Sequence, residues 1–398
     1  MLNTKLSPWP SFTQEETDKV SEVLLSNKVN YWTGQEGREF EKEFALFTGS
    51  NYAIALANGT LALDLALVAL NIGLANGGSE NDEVIVTSRT FLASASSIVT
   101  AGAKPVFADV DINSQNITAN TIKPVITTQT KAIICVHLAG MPCEMNEIML
   151  LANQYGLKVI EDCAQAHGAK YKGKSVGSIG DIGCWSFCQD KIMTTGGEGG
   201  MVTTNSDVLW NKMWSYKDHG KSWDSIYNSV KGQGFQWLHD SFGTNWRLTE
   251  MQSAIGRIQL KRMPDWFEKR NNNAQILEEI LAKFSCIRLT SIPEYIQHAE
   301  YKYYAFVKLE QIAIGWSRDR IVDEINALGV PCFQGSCSEV YLEKAFDNTD
   351  FRPEKSLPIA KELGETSLMF LVHPTLTSDD LKRTCEAIES VLRESSKL

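Results

Sequence analysis

Short apolar runs alternate with helix-like segments from residue 50 to residue 205. No other feature of the 398-residue chain constrains its fold as strongly. Strands are predicted at Tyr52–Ala57, Glu83–Thr87, Lys104–Ala108, Ala132–Leu138, Lys158–Asp162, Gly183–Phe187 and Gly200–Thr204. Helical patterns fill the gaps at Thr60–Leu70, Phe91–Thr100 and Glu144–Tyr155, the last stopped by Gly156. Strand, helix, strand at this spacing makes βαβ units, and hence a parallel sheet with helices on both faces. Strands covered on both sides need no polar face, so runs such as KAIICVHL (131–138) are unbroken. The last two strands differ. Only Cys188–Gly199 lies between them, too short and too glycine-rich for the helix that a parallel crossover requires. They are expected to be antiparallel neighbours at one end of a mostly parallel α/β sheet.

Beyond Leu248 the pattern changes. A helix from Thr249 to Lys261 meets Pro264, and a polar helical stretch continues to about Phe284. Strand-like CIRLT (286–290) and YYAFVKL (303–309) precede a helix with Ser317 as N-cap and Gly329 as its stop. Phe370–Val372 and Ser378–Arg393 read as a last strand and helix. This mixture suggests a small α+β domain at 251–398, after a large α/β domain with a helical N-terminal segment at 1–250. A net charge of −10 argues against a nucleic-acid partner, which would need a basic face. The most apolar stretch, Ala53 to Leu70, is broken by Asn58, Gly59 and Asp64, so no membrane span is expected. The N-terminal MLNTKLSPWPSF has no apolar signal core, and nine scattered cysteines include no C-x-x-C pair. Both point to a reducing cytoplasm and to no metal site.

Four motifs bear on chemistry. Gly168 to Ser175 fits the phosphate-loop pattern G-x-x-x-x-G-K-S, but Val176-Gly177-Ser178-Ile179-Gly180 cannot start the helix that motif needs. A surface turn is the better reading. Asn58-Gly59-Thr60 follows a strand and opens an apolar helix, where unused N–H groups and a hydroxyl can meet an anion; an ordinary N-cap has the same signature. Glu161-Asp162 ends a buried strand, where open α/β sheets bind ligands, and the period of two points one acid into the site and the other away. Lys191 follows Trp185–Asp190 into the glycine-rich segment. A desolvated lysine there is a good amine nucleophile, whereas a lysine paired with Asp190 or Glu198 is not. An anion cradle, a buried carboxylate and a reactive lysine at strand ends are together what pyridoxal phosphate (PLP) requires.

The chain resembles the DegT/StrS-type sugar-nucleotide aminotransferases, which have the aspartate aminotransferase fold (fold type I). The likeness is carried by NGTLALDLAL, TFLASA, AKPVFADVD, VIEDCAQAHGA, SFCQDK with TGGEGGMVTTN, and GTNWRLTEMQSAIGRIQL. It implies Lys191 as the Schiff-base lysine and Asp162 as partner of the pyridine nitrogen. Gln165 would contact the phenolic oxygen, Phe91 would stack on the ring, and Gly59, Thr60 and Ser186 would hold the phosphate. Asn245 would reach the phosphate of the neighbouring subunit, which implies a homodimer with shared sites, and Arg247 would meet a substrate carboxylate. The implied reaction aminates a nucleotide-linked keto sugar, 4-keto-6-deoxy by expectation, with L-glutamate as donor. The family's sugar 3-dehydratases carry histidine in place of Lys191, and a non-catalytic member would have lost the lysine or the acid. Asn58, Arg89 and the long loop Gly73–Asn81 depart from the family pattern.

Overall fold

The structure is a computed structural model and describes residues 6–228 and 237–397. Helices α1 (Gln14–Leu25) and α2 (Glu36–Thr48) precede β1 (Tyr52–Leu56) and α3 (Gly59–Ala69). Next come β2 (Glu83–Thr87), α4 (Ala93–Thr100), β3 (Lys104–Ala108), the short α5 (Ala119–Ile122), β4 (Thr130–Val136), α6 (Met145–Tyr155) and β5 (Lys158–Asp162). The two-residue strands β6 (Lys170–Tyr171) and β7 (Lys174–Ser175) form a hairpin, followed by β8 (Ile182–Ser186) and β9 (Gly200–Thr204). Helices α7 (Asp207–Tyr216), α8 (Trp223–Tyr227) and the 32-residue α9 (Glu250–Leu281) come after the sheet. The remainder contains β10 (Ile287–Leu289), β11 (Ile296–Gln297), β12 (Tyr303–Val307), α10 (Arg318–Ala327), β13 (Cys332–Phe333), α11 (Pro358–Thr366), β14 (Ser367–Phe370) and α12 (Ser378–Ser395).

The large sheet has the order β1-β9-β8-β5-β4-β2-β3. Strand β9 is antiparallel to both neighbours, and the other pairs are parallel. The expected antiparallel pair therefore forms, with one correction: β9 is one strand in from the edge, and β1 occupies the edge itself. Because β9 reverses twice, β1 runs with β8, and their carboxyl ends reach the same side of the molecule. Period-two alternation sorts the side chains. Ile54, Leu56, Val84, Val86, Ile134 and Val136 enter one core with α3, α4 and α7. Ile85, Ile133, Cys135 and Val159 pack on the opposite face with α6, and Ala53 and Ala55 with α2 and α9. Both faces are thus buried, as the unbroken apolar runs require.

Helix α9 does not end at Pro264. A helix-interior proline costs roughly 3 kcal/mol. Burial on both sides offsets it: Leu260, Met263 and Trp266 pack in the core beneath α2, and Ala274, Leu277, Ile280 and Leu281 in that of the antiparallel sheet β10-β12-β14-β13. The last strand starts three residues earlier than its apolar run, at Ser367, because β12 supplies the ladder partner for Ser367 and Leu368. The segment matching a phosphate loop is the β6–β7 hairpin, turning at Lys172 (φ 49°) and Gly173 (φ 80°), so no helix starts at Lys174. Among the described residues no helix is long and apolar enough to cross a membrane.

Candidate active site

The carboxyl edge of the large sheet gathers most of the residues singled out above. At β1, Asn58 caps α3 by accepting the Leu61 N–H at 2.9 Å. The N–H groups of Gly59 and Thr60 are then among those a helix leaves without internal partners. Gly59 is required there: a Cβ on it would stand 2.5 Å from Ser186 Cβ and 3.0 Å from Ser186 Cα. The start of α3 is therefore pressed against the end of β8, and Ser186 is 8% exposed beside it. On β9, a Cβ at Gly200 would meet the Asn58 carbonyl oxygen at 2.3 Å, so two glycines allow three chain segments to converge. A doubly charged phosphate fits this donor set of helix-start N–H groups and the Ser186 hydroxyl.

Asp162 and Glu161 divide as the strand period demands. Asp162 is buried at the sheet edge, where its oxygens accept from Ser94 Oγ at 2.8 Å and from the Ala164 N–H at 3.1 Å. Burial pushes its carboxyl above the ordinary aspartate value, against these hydrogen bonds and the Lys191 charge. Thr90 Oγ1 meets Ser94 Oγ at 2.9 Å and extends the chain of hydroxyls. Glu161 faces inward. His137 Nδ1 accepts the Cys143 N–H at 3.0 Å, so Nε2 is the nitrogen that donates to Glu161 at 3.0 Å. Glu161 also accepts from the N–H groups of Gly177, Ile179 and Gly180. Burial works to raise its pKa, but these partners outweigh it and hold the carboxyl below the usual value. His137, Glu161 and Cys163 cluster closely enough to suggest metal ligation. Their hydrogen bonding already employs both ring nitrogens and both carboxylate oxygens, so the group is a structural brace for the end of β5.

Lys191 lies in the segment between β8 and β9, its carbonyl accepting from Trp9 Nε1 at 2.9 Å. Its ammonium stands 5.1 Å from the centroid of the Tyr301 ring and makes no salt bridge with a described residue. Asp190, the counter-ion considered from sequence, accepts from the Tyr301 hydroxyl at 2.5 Å; burial works to raise its pKa, but the Lys191 charge and this bond hold it below the ordinary aspartate value. Gln165 accepts the Ala139 N–H at 2.7 Å, which fixes its amide and leaves the NH2 for another acceptor. The Phe91 ring, two residues before α4, is 72% exposed, as a stacking platform must be.

Three residues are placed apart from this group. Asn245 is exposed and is held by a backbone bridge to Asp218, while the next residue, Trp246, receives the Ala57 N–H at 3.0 Å. Asn245 does not cap α9, since Thr249 does so with Gln252. Arg247 is ion-paired with buried Asp218 at 2.5 Å, so its charge is met within the chain. Arg89 is fully buried and joins the end of β2 to the small sheet through Gln115, Ser338 and Ser367. Sequence reasoning missed Ser94 and Tyr301. Ser94 lies among the serines of a short helix, and Tyr301 is more than a hundred residues from its partner Asp190, so neither carried a local signal.

An α/β sheet of this topology, with such an edge, is the architecture of the PLP-dependent aminotransferases, and the chain is an enzyme of that class. It belongs to the DegT/DnrJ/EryC1/StrS aminotransferase family, which matches residues 10–389. It is 36% identical to the GDP-perosamine synthase of Caulobacter vibrioides over 390 residues, 96% of this chain and 97% of the relative. The dTDP-3-amino-3,6-dideoxy-alpha-D-galactopyranose transaminase of Aneurinibacillus thermoaerophilus is 34% identical over 361 residues, 90% of each chain. The crystal structure of an aminotransferase from Psychrobacter cryohalolentis superposes with a TM-score of 0.94 at 62% identity, covering 98% of this chain and 99% of that one.

Proposed function

We propose that the enzyme transfers an amino group from L-glutamate to the keto carbon of a nucleotide-linked keto sugar, a 4-keto-6-deoxy sugar by expectation. One observation carries the reading. A buried carboxylate, a lysine in no salt bridge with a described residue, and helix-start N–H groups pressed against Ser186 meet at one sheet edge. The two named relatives, a GDP-perosamine synthase and a dTDP-linked amino-sugar transaminase, support the substrate class.

In this reading Gly59, Thr60 and Ser186 hold the cofactor phosphate, Phe91 covers one ring face and Gln165 donates to the phenolic oxygen. The bound cofactor supplies an electron sink for negative charge at the carbon losing its proton. Asp162, fixed by Ser94 and the Ala164 N–H, keeps a proton on the pyridine nitrogen. Lys191 would hold the cofactor covalently at rest and, once released, would move a proton to and from the reacting carbon of the donor or sugar. The donor leaves as its keto acid before the sugar binds at the same place, with the amino group kept on the enzyme, which makes the kinetics ping-pong. Asn245 of the partner subunit completes the phosphate site in a homodimer, consistent with its exposed position beside the end of β1. Nine free cysteines fit a cytoplasmic enzyme.

The test is a panel of GDP-, dTDP- and UDP-linked 3- and 4-keto sugars incubated with enzyme, PLP and glutamate, and read by mass spectrometry. Conversion of at least one keto sugar to the amine is expected. Amination of simple keto acids alone would refute the reading.

A further inference from the structure

The donor needs a cation near Lys191, because glutamate brings carboxylates into a site that must also accept a sugar. Arg247, the arginine the family pattern suggests, is already spent on Asp218 at 2.5 Å. Arg270 is near but 1% exposed, with Nη1 donating to the Glu300 and Tyr301 carbonyls. Lys302 remains. Its Nζ stands 4.9 Å from the centroid of the Tyr301 ring, the ring over which Lys191 lies at 5.1 Å. Unlike Arg270 it is partly exposed, and it forms no salt bridge or side-chain hydrogen bond with a described residue.

The chain fixes the segment that leads into Lys302. The Ala299 N–H bonds the Gly140 carbonyl at 3.0 Å and the Tyr301 N–H the Ala139 carbonyl at 2.9 Å. The same turn gives its Ala139 N–H to Gln165, so the residue expected at the cofactor and the segment leading to Lys302 share one support. The Tyr301 hydroxyl adds a bond to Asp190, next to Lys191 in sequence. Burial lowers the Lys302 pKa to about 8, Asp190 opposing and the Arg270 and Lys191 charges reinforcing the shift. An ammonium in such surroundings, with no anion in contact, gains more from an incoming carboxylate than one at the open surface does.

We propose that Lys302 recognises a carboxylate of the amino donor and so makes the enzyme selective for an acidic amino acid in the donor half-reaction. This rests on the reading of glutamate as donor. A role confined to the donor carboxylate leaves the sugar half-reaction unchanged when Lys302 is replaced.

The experiment uses PLP-loaded enzyme with Lys302→Met, which keeps the length of the side chain, and Lys302→Arg, which keeps its charge. Glutarate, a dicarboxylate without an amine, is titrated against the cofactor absorbance, and each half-reaction is followed separately with glutamate and with keto sugar. Lys302→Met is expected to raise the glutarate Kd and the glutamate KM at least tenfold, with the defect confined to the donor half and largely restored in Lys302→Arg. A glutarate Kd and glutamate KM within twofold of wild type in Lys302→Met, while wild type uses glutamate, would overturn the role of Lys302 alone. An equal loss in the sugar half-reaction would likewise overturn it. Wild-type enzyme that ignores glutamate but accepts a neutral amine donor would overturn the donor reading and this inference with it.

Discussion

Gly59→Ala probes the phosphate cradle through geometry alone. The added methyl carbon would stand 2.5 Å from Ser186 Cβ and 2.9 Å from Ser186 Oγ, with the Ser186 backbone only 3.0 Å away. Ordinary contact begins near 3.4 Å, so the start of α3 and the end of β8 must separate by about 0.9 Å. Overpacking of this kind costs about 1–3 kcal/mol of stability. The loss in binding has another origin. A charge-assisted hydrogen bond contributes about 1.5–3 kcal/mol, and moving the helix start by most of an ångström removes at least one such bond from a phosphate held between α3 and Ser186. At 1.4 kcal/mol per factor of ten, PLP affinity should fall about 10- to 150-fold. The assay is titration of apoenzyme with PLP, followed by visible absorbance, beside thermal unfolding without cofactor. Ser186→Gly in the same chain removes the two nearest atoms but leaves the Ser186 Cα at 3.0 Å: it should restore part of the stability while leaving affinity low, because the hydroxyl is lost as well. Undiminished PLP affinity in Gly59→Ala would refute the placement of the phosphate between these segments.

Asp162→Asn should cut transamination by several orders of magnitude while leaving the fold intact, since the charge that holds the pyridinium proton is gone; near-normal turnover would assign that task elsewhere. Inactive Lys191→Ala and Asn245→Asp chains, unfolded and refolded together, should regain activity as heterodimers with one intact site. No recovery in proven heterodimers would remove Asn245 from the partner's site. Asp380 closes the capping box of α12 and accepts from the Ser7 hydroxyl at 2.7 Å. Burial works to raise its pKa, but the Thr377 and Ser7 hydrogen bonds prevail and bring it down to about 2. A lowered folded-state value stabilises the protein above the unfolded value of the carboxyl. Asp380→Asn, which weakens the reciprocal capping bond and the charge-assisted bond from Ser7, should therefore cost about 1 kcal/mol at pH 7, and its difference from wild type in denaturant titrations should shrink as pH falls from about 4 towards 2. A difference constant over that range would contradict the carboxylate's role.

Much of this was legible because the large sheet is built from local βαβ units. Its strands declared themselves as apolar runs, and the glycine-rich link Cys188–Gly199 revealed the one antiparallel strand. The order of strands was less legible: nothing local in Tyr52–Leu56 announces an edge strand paired to a strand nearly 150 residues later. The site divided in the same way. Lys191, Asp162 and Gly59 lie in motifs whose neighbours impose their geometry, and the alternation of Glu161 and Asp162 followed from the strand period. Ser94, Tyr301 and Lys302 gain their meaning from chain segments far away, and the pairing of Arg247 with Asp218 was invisible for the same reason. Pro264 misled through a local rule, a break that burial of α9 on both flanks outweighs.

Borohydride reduction of the PLP-loaded enzyme, followed by proteolysis and mass spectrometry, tests the assignment of Lys191 most directly. The account predicts loss of the visible cofactor band and one modified peptide, bearing the reduced cofactor on Lys191. It predicts further that Lys191→Ala, though still able to bind PLP in the phosphate cradle, shows neither the modification nor turnover. Cofactor fixed on another lysine, nearby Lys302 included, or normal turnover by Lys191→Ala without an added amine, would contradict it.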